Sequence, residues 1–219
     1  MFASSAAVYG NSQELPIRPD SPTNPISEYG RSKLAAERLC LNVYEENGFG
    51  TTVLRYFNVY GQRALAGQYG SVTNQFLERL AKIEAPIING DGNATRDFIF
   101  VKDVAQANLK AALCEKSIGK IYNVGTERKT TINDLANLEM KIILGEDIVL
   151  PLEYGPKLPK DILDGHAEIT QTAEELGFHT NYSLEEGLRE YFRSLWPSLP
   201  LKQDGSKLND GFRLLEQVG

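Results

Sequence analysis

Hydrophobic and polar positions along the chain follow two periods, one typical of strands and one typical of helices. Short runs rich in β-branched and aromatic residues predict strands at residues 2–8, 51–59, 87–88, 98–101 and 121–124. Apolar residues recur at helical spacing between and after these runs, and predict helices at residues 27–47, 71–84, 103–113, 131–144, 170–176 and 183–195. Strands that alternate with helices indicate an α/β fold with a largely parallel sheet.

Capping residues mark the ends of several predicted helices. Ser27, Asp103 and Thr131 are residue types that accept hydrogen bonds at an N-cap, so each predicts the start of a helix. Gly48 predicts the end of the first long helix, because glycine adopts the left-handed conformation at low cost. A loop with four prolines at residues 11–26 separates that helix from the first strand.

Composition changes this picture mainly by exclusion. The chain has 219 residues, 42% of them hydrophobic, and a net charge of -6, which indicates a folded globular protein and not a general nucleic-acid binder. No apolar run approaches the ~20 residues that cross a membrane, so a membrane partner is not expected. Two cysteines and two histidines without a cluster predict neither disulfides nor a metal site. Without a basic signal-like start, the expected location is cytoplasmic.

Tyr29 and Lys33 are the first candidates for chemistry. They lie four residues apart near the start of the first long helix, which places both side chains on one face. A phenol in water titrates near ~10, and a neighbouring ammonium group favours its ionised form. Such a pair predicts a general acid/base for a sugar or alcohol hydroxyl from whose carbon a hydride leaves. Taken alone, this spacing more often belongs to a solvated pair on a surface helix.

Ser5 supplies a second element of the same site. It lies near the end of the first predicted strand, about 24 residues before Tyr29. Ligands of α/β proteins bind outside the carboxyl ends of parallel strands, so Ser5 is expected to face a ligand crevice. The serine hydroxyl can then share a proton with Tyr29 through a substrate hydroxyl.

Several segments, taken together and in order, resemble the extended short-chain dehydrogenase/reductases. More narrowly, they are similar to the NAD-dependent nucleotide-sugar epimerase/dehydratase family. The resemblance extends from residue 2 to about residue 195, and its segments are 4–10 (SSAAVYG), 27–33 (SEYGRSK), 54–61 (LRYFNVYG), 89–98 (NGDGNATRDF), 122–125 (YNVG) and 184–188 (LEEGL). It implies a partial Rossmann-type, doubly wound parallel sheet that lacks its first strands, together with a small α/β substrate-binding lobe.

The resemblance implies catalytic and cofactor roles for four residues. Tyr29 would be the catalytic acid/base, and Lys33 would activate its hydroxyl and hold the nicotinamide ribose of NAD. Ser5 would bind the reacting sugar hydroxyl beside the cofactor. Phe57 would contact NAD near the nicotinamide.

Besides Ser5, the resemblance implies three further substrate-binding residues. Asn58 and Arg96 would contact the diphosphate of a nucleotide sugar, and Val72 would line the nucleotide site. The forked donors of an arginine suit a diphosphate. Two alternatives remain: Arg96 forms a surface salt bridge with Asp97 or Asp91, or Asn58 only caps a turn.

The resemblance divides the chain into parts. Residues 1–70 correspond to the C-terminal part of a Rossmann-like NAD-binding domain, with residues of about 98–125 interleaved. Residues 71–195 are mainly the substrate-binding lobe, and residues 196–219 form a tail. Family members commonly form homodimers, here expected through the helices at 27–47 and 71–84.

Two alanines and a missing motif refine the expected activity. Ala6 and Ala7 follow Ser5 where related dehydratases and decarboxylases commonly have an acid, which favours a UDP-glucose/UDP-galactose 4-epimerase-like activity on a UDP-hexose. No Gly-x-x-Gly-x-x-Gly precedes Ser5, so we expect a truncated and impaired enzyme that needs a separate N-terminal half. The alternatives are another nucleotide-sugar oxidoreductase or dehydratase of the extended family, or a non-catalytic remnant that binds a nucleotide sugar or dimerises.

Overall fold

The computed structural model describes residues 1–64, 71–157 and 162–195, so the predicted tail at 196–219 lies outside the described residues. Its strands are β1 Phe2–Ser5, β2 Thr52–Tyr56, β3 Asn58–Tyr60, β4 Ile87–Asn89, β5 Thr95–Arg96, β6 Phe98–Phe100, β7 Lys120–Val124, β8 Thr130–Thr131 and β9 Glu153–Gly155. Its α-helices are α1 Glu28–Asn47, α2 Val72–Leu80, α3 Val101–Leu113, α4 Ile132–Leu144, α5 Thr170–Leu176 and α6 Leu184–Leu195. The predicted α/β class is confirmed.

A parallel sheet of three strands, in the order β1-β2-β7, organises the first part of the fold. Phe2 lies opposite Val53 in β1 and β2, and Val53 lies opposite Ile121 in β7. The central strand β2 has Val53 and Leu54 fully buried. Consecutive apolar residues are buried because both faces of such a strand are covered. Smaller pairs are β3-β6, β4-β9 and β5-β8.

Helix α1 begins and ends where its capping residues predict. The Ser27 hydroxyl accepts a hydrogen bond from the Gly30 amide at 3.0 Å, and Gly48 adopts φ 66° at the C-cap. Gly30 and Glu37 are its buried residues, whereas Leu39 is 65% exposed. The helix is therefore not a simple amphipathic element with one apolar face in this chain.

Three sequence predictions are corrected by the structure. The strand predicted at 2–8 ends at Ser5, because the Ser5 hydroxyl accepts from the Ala7 amide and starts a short 3-10 helix at Ala6–Val8. The strand predicted at 51–59 divides at Phe57, whose amide donates to the Val124 carbonyl. Asp103 does not cap α3, which begins at Val101; its buried carboxylate accepts from the amides of residues 181 and 182 instead.

The chain forms two compact units, each with its own core. The first unit takes the described residues within 1–59, 94–130 and 159–182, and the second those within 60–93, 131–158 and 183–195. Buried residues of the first core include Leu54, Ile99, Tyr122, Val124 and Phe178. The second core is formed where α4 packs against α2 and α6, with Phe76, Leu80, Leu135, Leu188 and Phe192 buried. The roles predicted for 1–70 and 71–195 stay predictions.

Among the helices that the structure describes, none combines the length and the apolar character that crossing a membrane would take.

Candidate active site

Ser5 lies at the carboxyl end of β1, in extended backbone with φ -150° and ψ 147°. Its side chain is partly buried, and Oγ accepts a hydrogen bond from the Ala7 amide at 3.2 Å. Because Oγ is the acceptor in this bond, the Ser5 hydroxyl can still donate its own hydrogen to another group. Ser5 thus both ends the strand and retains a proton that it can share.

Lys33 connects Tyr29 to the strand that carries Ser5. The Lys33 Nζ lies 5.6 Å from the centre of the Tyr29 ring, within the range of cation–π attraction. The same Nζ donates a hydrogen bond of 2.8 Å to the Ala3 carbonyl in β1. Tyr29 is 56% exposed, so a ligand can reach its ring. The structure therefore places Lys33 beside Tyr29, as predicted, and bonds Lys33 to β1, the strand that ends in Ser5.

Gly30 explains how α1 approaches the Ser5 segment so closely. A Cβ atom on Gly30 would lie 2.5 Å from the Ala7 carbonyl oxygen and 2.9 Å from the Pro25 Cβ. Any side chain at this position would push the helix away from the turn that follows Ser5. The sequence reasoning did not single out this glycine, although its place between Tyr29 and Lys33 was a signal for close approach.

Phe57 and Asn58 occupy the step between β2 and β3. Phe57 is 6% exposed and belongs to the first core, so most of its ring is used in packing. Asn58 donates to the Asp97 carbonyl twice, from its amide at 2.9 Å and from Nδ2 at 3.2 Å. Asn58 thus joins β3 to the segment of Arg96 instead of only capping a turn. The roles in NAD and diphosphate binding stay predictions.

Arg96 lies on β5 and is partly buried, and its Nη1 donates to the Thr95 carbonyl at 2.9 Å. Its neighbour Asp97 is fully buried and accepts hydrogen bonds from Thr126, Glu127 and Ala167. Burial raises the pKa of Asp97, while these hydrogen bonds act in the opposite direction. Asp97 is therefore a buried structural anchor.

The seventh predicted residue, Val72, belongs to the second unit. It is partly buried and is the first residue of α2. Its place in a nucleotide site stays a prediction. In the described parts of the chain, no group of three or more His, Cys, Asp or Glu residues is arranged to hold a metal ion.

Sequence reasoning also missed a buried pair beneath Lys33. Glu37 follows Lys33 by one helical turn and is 1% exposed, and it pairs with Arg55 of β2. The acidic residue four positions after Lys33 is visible in the sequence. Its partner Arg55 lies 18 residues further along the chain, so residue spacing alone could not predict the ion pair.

Comparison with known proteins was made by sequence and by structure. Residues 1–125 match the sequence model of the NAD dependent epimerase/dehydratase family. A putative UDP-glucose 4-epimerase of Methanocaldococcus jannaschii is 36% identical over 192 residues, which cover 86% of this chain and 60% of that protein. A UDP-N-acetyl-alpha-D-glucosaminuronate decarboxylase of Bacillus cytotoxicus is 32% identical, with 89% and 64% covered.

The structures that are similar lead to the same family. The Thermotoga maritima UDP-glucose 4-epimerase with UDP-glucose superimposes with a TM-score of 0.81 at 36% identity, covering 89% of this chain and 63% of that one. The Bacillus cereus UDP-glucuronic acid 4-epimerase with UDP-glucuronic acid and NAD gives 0.79 at 26% identity, covering 89% and 61%. This chain spans about three fifths of the length of its curated relatives. Its motifs, sheet and matches show that it belongs to the NAD dependent epimerase/dehydratase family.

Proposed function

We propose that this chain carries the proton-transfer and substrate-binding residues of an NAD-dependent UDP-sugar 4-epimerase. The observation that supports it is the position of Lys33 Nζ, beside the Tyr29 ring and bonded to the strand that ends in Ser5. A phenol, an ammonium group and a hydroxyl at the carboxyl end of a parallel strand form a device for proton transfer at an alcohol. Hexose C4 carries such an alcohol.

The donors present fit the nicotinamide-ribose end of NAD. Lys33 offers an ammonium group to ribose hydroxyls, and Tyr29 is exposed enough to meet a ligand. Phe57 would contact the nicotinamide end with the small part of its ring that the first core leaves exposed. Bound there, NAD would supply a reversible hydride acceptor for the sugar carbon.

The residues of this chain handle the proton in the proposed reaction. The Tyr29 phenolate, whose negative charge the ammonium group of Lys33 would stabilise, would take the proton of the C4 hydroxyl as that carbon becomes a ketone. The Ser5 hydroxyl hydrogen-bonds to the same sugar oxygen and keeps it in reach. After the keto sugar has turned, Tyr29 returns the proton to the oxygen of the inverted alcohol.

The same proposal assigns the substrate contacts. Arg96 and Asn58 would bind the diphosphate, because a guanidinium fork and an amide donor suit its oxygens. Val72 would line the nucleotide site. A UDP-hexose is supported by the UDP-sugar epimerases among the relatives. Ala6 and Ala7 form the turn after Ser5 without an acid, which favours epimerisation over dehydration.

These 219 residues contain no Gly-x-x-Gly-x-x-Gly before Ser5. Such a turn before a helix is the usual anchor for a dinucleotide pyrophosphate. We therefore expect a polypeptide of these 219 residues alone to bind NAD weakly and to turn over slowly. A polypeptide that supplies such a turn should restore both properties.

Homodimer formation and a cytoplasmic location belong to the same proposal. Leu39 on α1 is 65% exposed and would lie in such a dimer interface. The two cysteines, Cys40 and Cys114, are both free, which supports a reducing compartment.

The test uses the chain alone and a fusion in which the N-terminal region of the Thermotoga maritima relative precedes residue 1. We expect the fusion to interconvert UDP-galactose and UDP-glucose, and Tyr29→Phe to lower its kcat by about 10²-fold or more. Glu45→Gln, an exposed change on the same helix, is the control. A fusion that binds NAD but converts no UDP-hexose contradicts the epimerase, and micromolar NAD affinity of the chain alone contradicts the expected weak binding.

A further inference from the structure

A buried ion pair joins α1 to β2 directly beneath the candidate site. Glu37 is 1% exposed and Arg55 is 3% exposed. The contact is bidentate, with Arg55 Nε 2.9 Å from Glu37 Oε1 and Nη2 2.7 Å from Oε2. Two parallel hydrogen bonds fix the relative orientation of the two planar groups, which a single contact does not do.

The pair extends into a hydrogen-bonded network that includes Ser4 and Tyr9, which lie on the two sides of Ser5 in the sequence. Ser4 Oγ donates to Glu37 Oε1 from the residue just before Ser5. Arg55 Nη1 donates to the Tyr9 hydroxyl at 2.9 Å, and that hydroxyl donates to Asn123 Oδ1 at 2.6 Å. The residues on the two sides of Ser5 are therefore tied to one buried charge pair.

The charges of this network are held in place by its hydrogen bonds. Burial acts to lower the pKa of Arg55, but the bonds to Glu37 and the contact with Tyr9 raise it overall, so the guanidinium stays charged. Burial raises the pKa of Tyr9, which therefore stays a neutral donor. A buried ion pair commonly gives no more stability than an apolar pair of similar volume. Stability alone is thus a weak reason for its presence.

Three successive turns of α1 contact the segment that carries Ser5. Gly30 meets the Ala7 carbonyl, Lys33 donates to the Ala3 carbonyl, and Glu37 accepts from Ser4. Tyr29, Lys33 and Glu37 follow one another at intervals of four residues, so they lie along one side of the helix. A rotation or slide of α1 that moved Glu37 would move Lys33 and Tyr29 with it.

We propose that Glu37 is a positioning residue, which, held by Arg55 and bonded to Ser4, sets where α1 presents Lys33 and Tyr29 to Ser5. The inference rests on the proposed function, in which these three groups act on one sugar hydroxyl. Displacement of reacting groups by about 1 Å can lower a rate by about 10²-fold. The network supplies the rigid support that such a constellation needs.

The first experiment needs no turnover. The NMR signal of the Lys33 side chain is followed in the chain labelled with ¹³C,¹⁵N-lysine and assigned with Lys33→Arg. Glu37→Gln should displace this signal towards that of a solvated lysine, because the hydrogen bond to Ala3 is lost or lengthened. Glu45→Gln lies two turns further along α1, is exposed, and should leave it unchanged. A Lys33 signal that stays in place in folded Glu37→Gln overturns the proposal.

The second experiment separates positioning from stability. The double variant Glu37→Leu/Arg55→Met replaces the pair with apolar side chains and should fold about as well as the wild type. In the fusion, we expect its kcat to fall by about ten- to hundredfold with KM nearly unchanged. If the double variant is as stable as the wild type and also has the wild-type kcat and the wild-type Lys33 signal, the proposal is overturned. Absence of any UDP-sugar turnover in the wild-type fusion refutes the proposed function instead, and the Lys33 signal of both variants still decides the positioning.

Discussion

Glu37 in the first unit and Glu139 in the second are both buried glutamates on a helix, but their surroundings differ. Glu37 accepts from Arg55 and Ser4. Glu139 is fully buried on α4, and neither of its oxygens has a hydrogen-bond partner among the residues that the structure describes. Burial raises the pKa of Glu139 well above its usual value. The same side chain therefore forms a buried ion pair in one unit, whereas in the core of the other it is a carboxyl group that burial makes easier to protonate.

The difference shows that burial alone does not determine what a carboxyl group does. A buried charge is tolerated when a fixed partner compensates its loss of water, as Arg55 does for Glu37. Without a partner, the carboxyl group takes a proton instead. Glu139 is thus expected to lower stability as the pH rises above the pKa of an unfolded glutamate, whereas the loss of water around Glu37 is compensated as long as Arg55 is present.

The largest expected effect comes from removing that partner. Arg55→Met leaves Glu37 buried and unpaired, which should lower the free energy of unfolding by about 3–5 kcal/mol. Urea denaturation of the wild type and the variant at pH 7 measures the difference. Arg38→Met, an exposed change on α1, should stay within about 0.5 kcal/mol. A loss below about 1 kcal/mol for Arg55→Met would place Glu37 in the same class as Glu139.

A smaller effect of opposite sign is expected in the second unit. Glu139→Met keeps an unbranched side chain and removes the orphaned carboxyl, so it should raise the free energy of unfolding by about 1–3 kcal/mol near pH 8. Among the residues that the structure describes, Tyr191 of α6 interacts electrostatically with Glu139, and Glu78 of α2 interacts with Tyr191. The Tyr191 hydroxyl donates its hydrogen bond of 2.8 Å to Asn74 Oδ1 and not to the carboxyl group of Glu139.

The stability gained by Glu139→Met should increase as the pH rises, because the pKa of Glu139 is raised in the folded chain. Above about pH 4.5 the unfolded chain releases the proton of Glu139 while the folded chain keeps it, so wild-type stability falls by about 1.4 kcal/mol per pH unit until the folded pKa is reached. Glu139→Met should remove this slope, with full wild-type stability regained at acid pH. Asp147→Asn, an exposed change just after α4, is the control. Parallel pH curves for the wild type and Glu139→Met would show that Glu139 is ionised in the folded state.

Local signals in the sequence predict most of the helices and strands but neither buried glutamate. Ser27 and Thr131 cap α1 and α4 as predicted, because a cap depends on residues within one turn. The proximity of Tyr29 and Lys33 is also predicted, since helical spacing determines it. Arg55 meets Glu37 only through the packing of β2 against α1, which no local pattern contains. Glu139 follows Leu135 by four residues and is drawn into the core by the apolar residues around it.

The smallest effect measures how much of the Glu37 environment depends on the strand of Ser5. Ser4→Ala removes one hydroxyl donor and leaves the Arg55 pair intact, so it should lower the free energy of unfolding by about 1 kcal/mol. Ser12→Ala, in an exposed loop, should have almost no effect in the same urea titration. A loss from Ser4→Ala as large as that from Arg55→Met would show that Ser4, and not the guanidinium, compensates the buried charge. A loss near zero would show that Arg55 is a sufficient partner for Glu37 without the Ser4 hydroxyl.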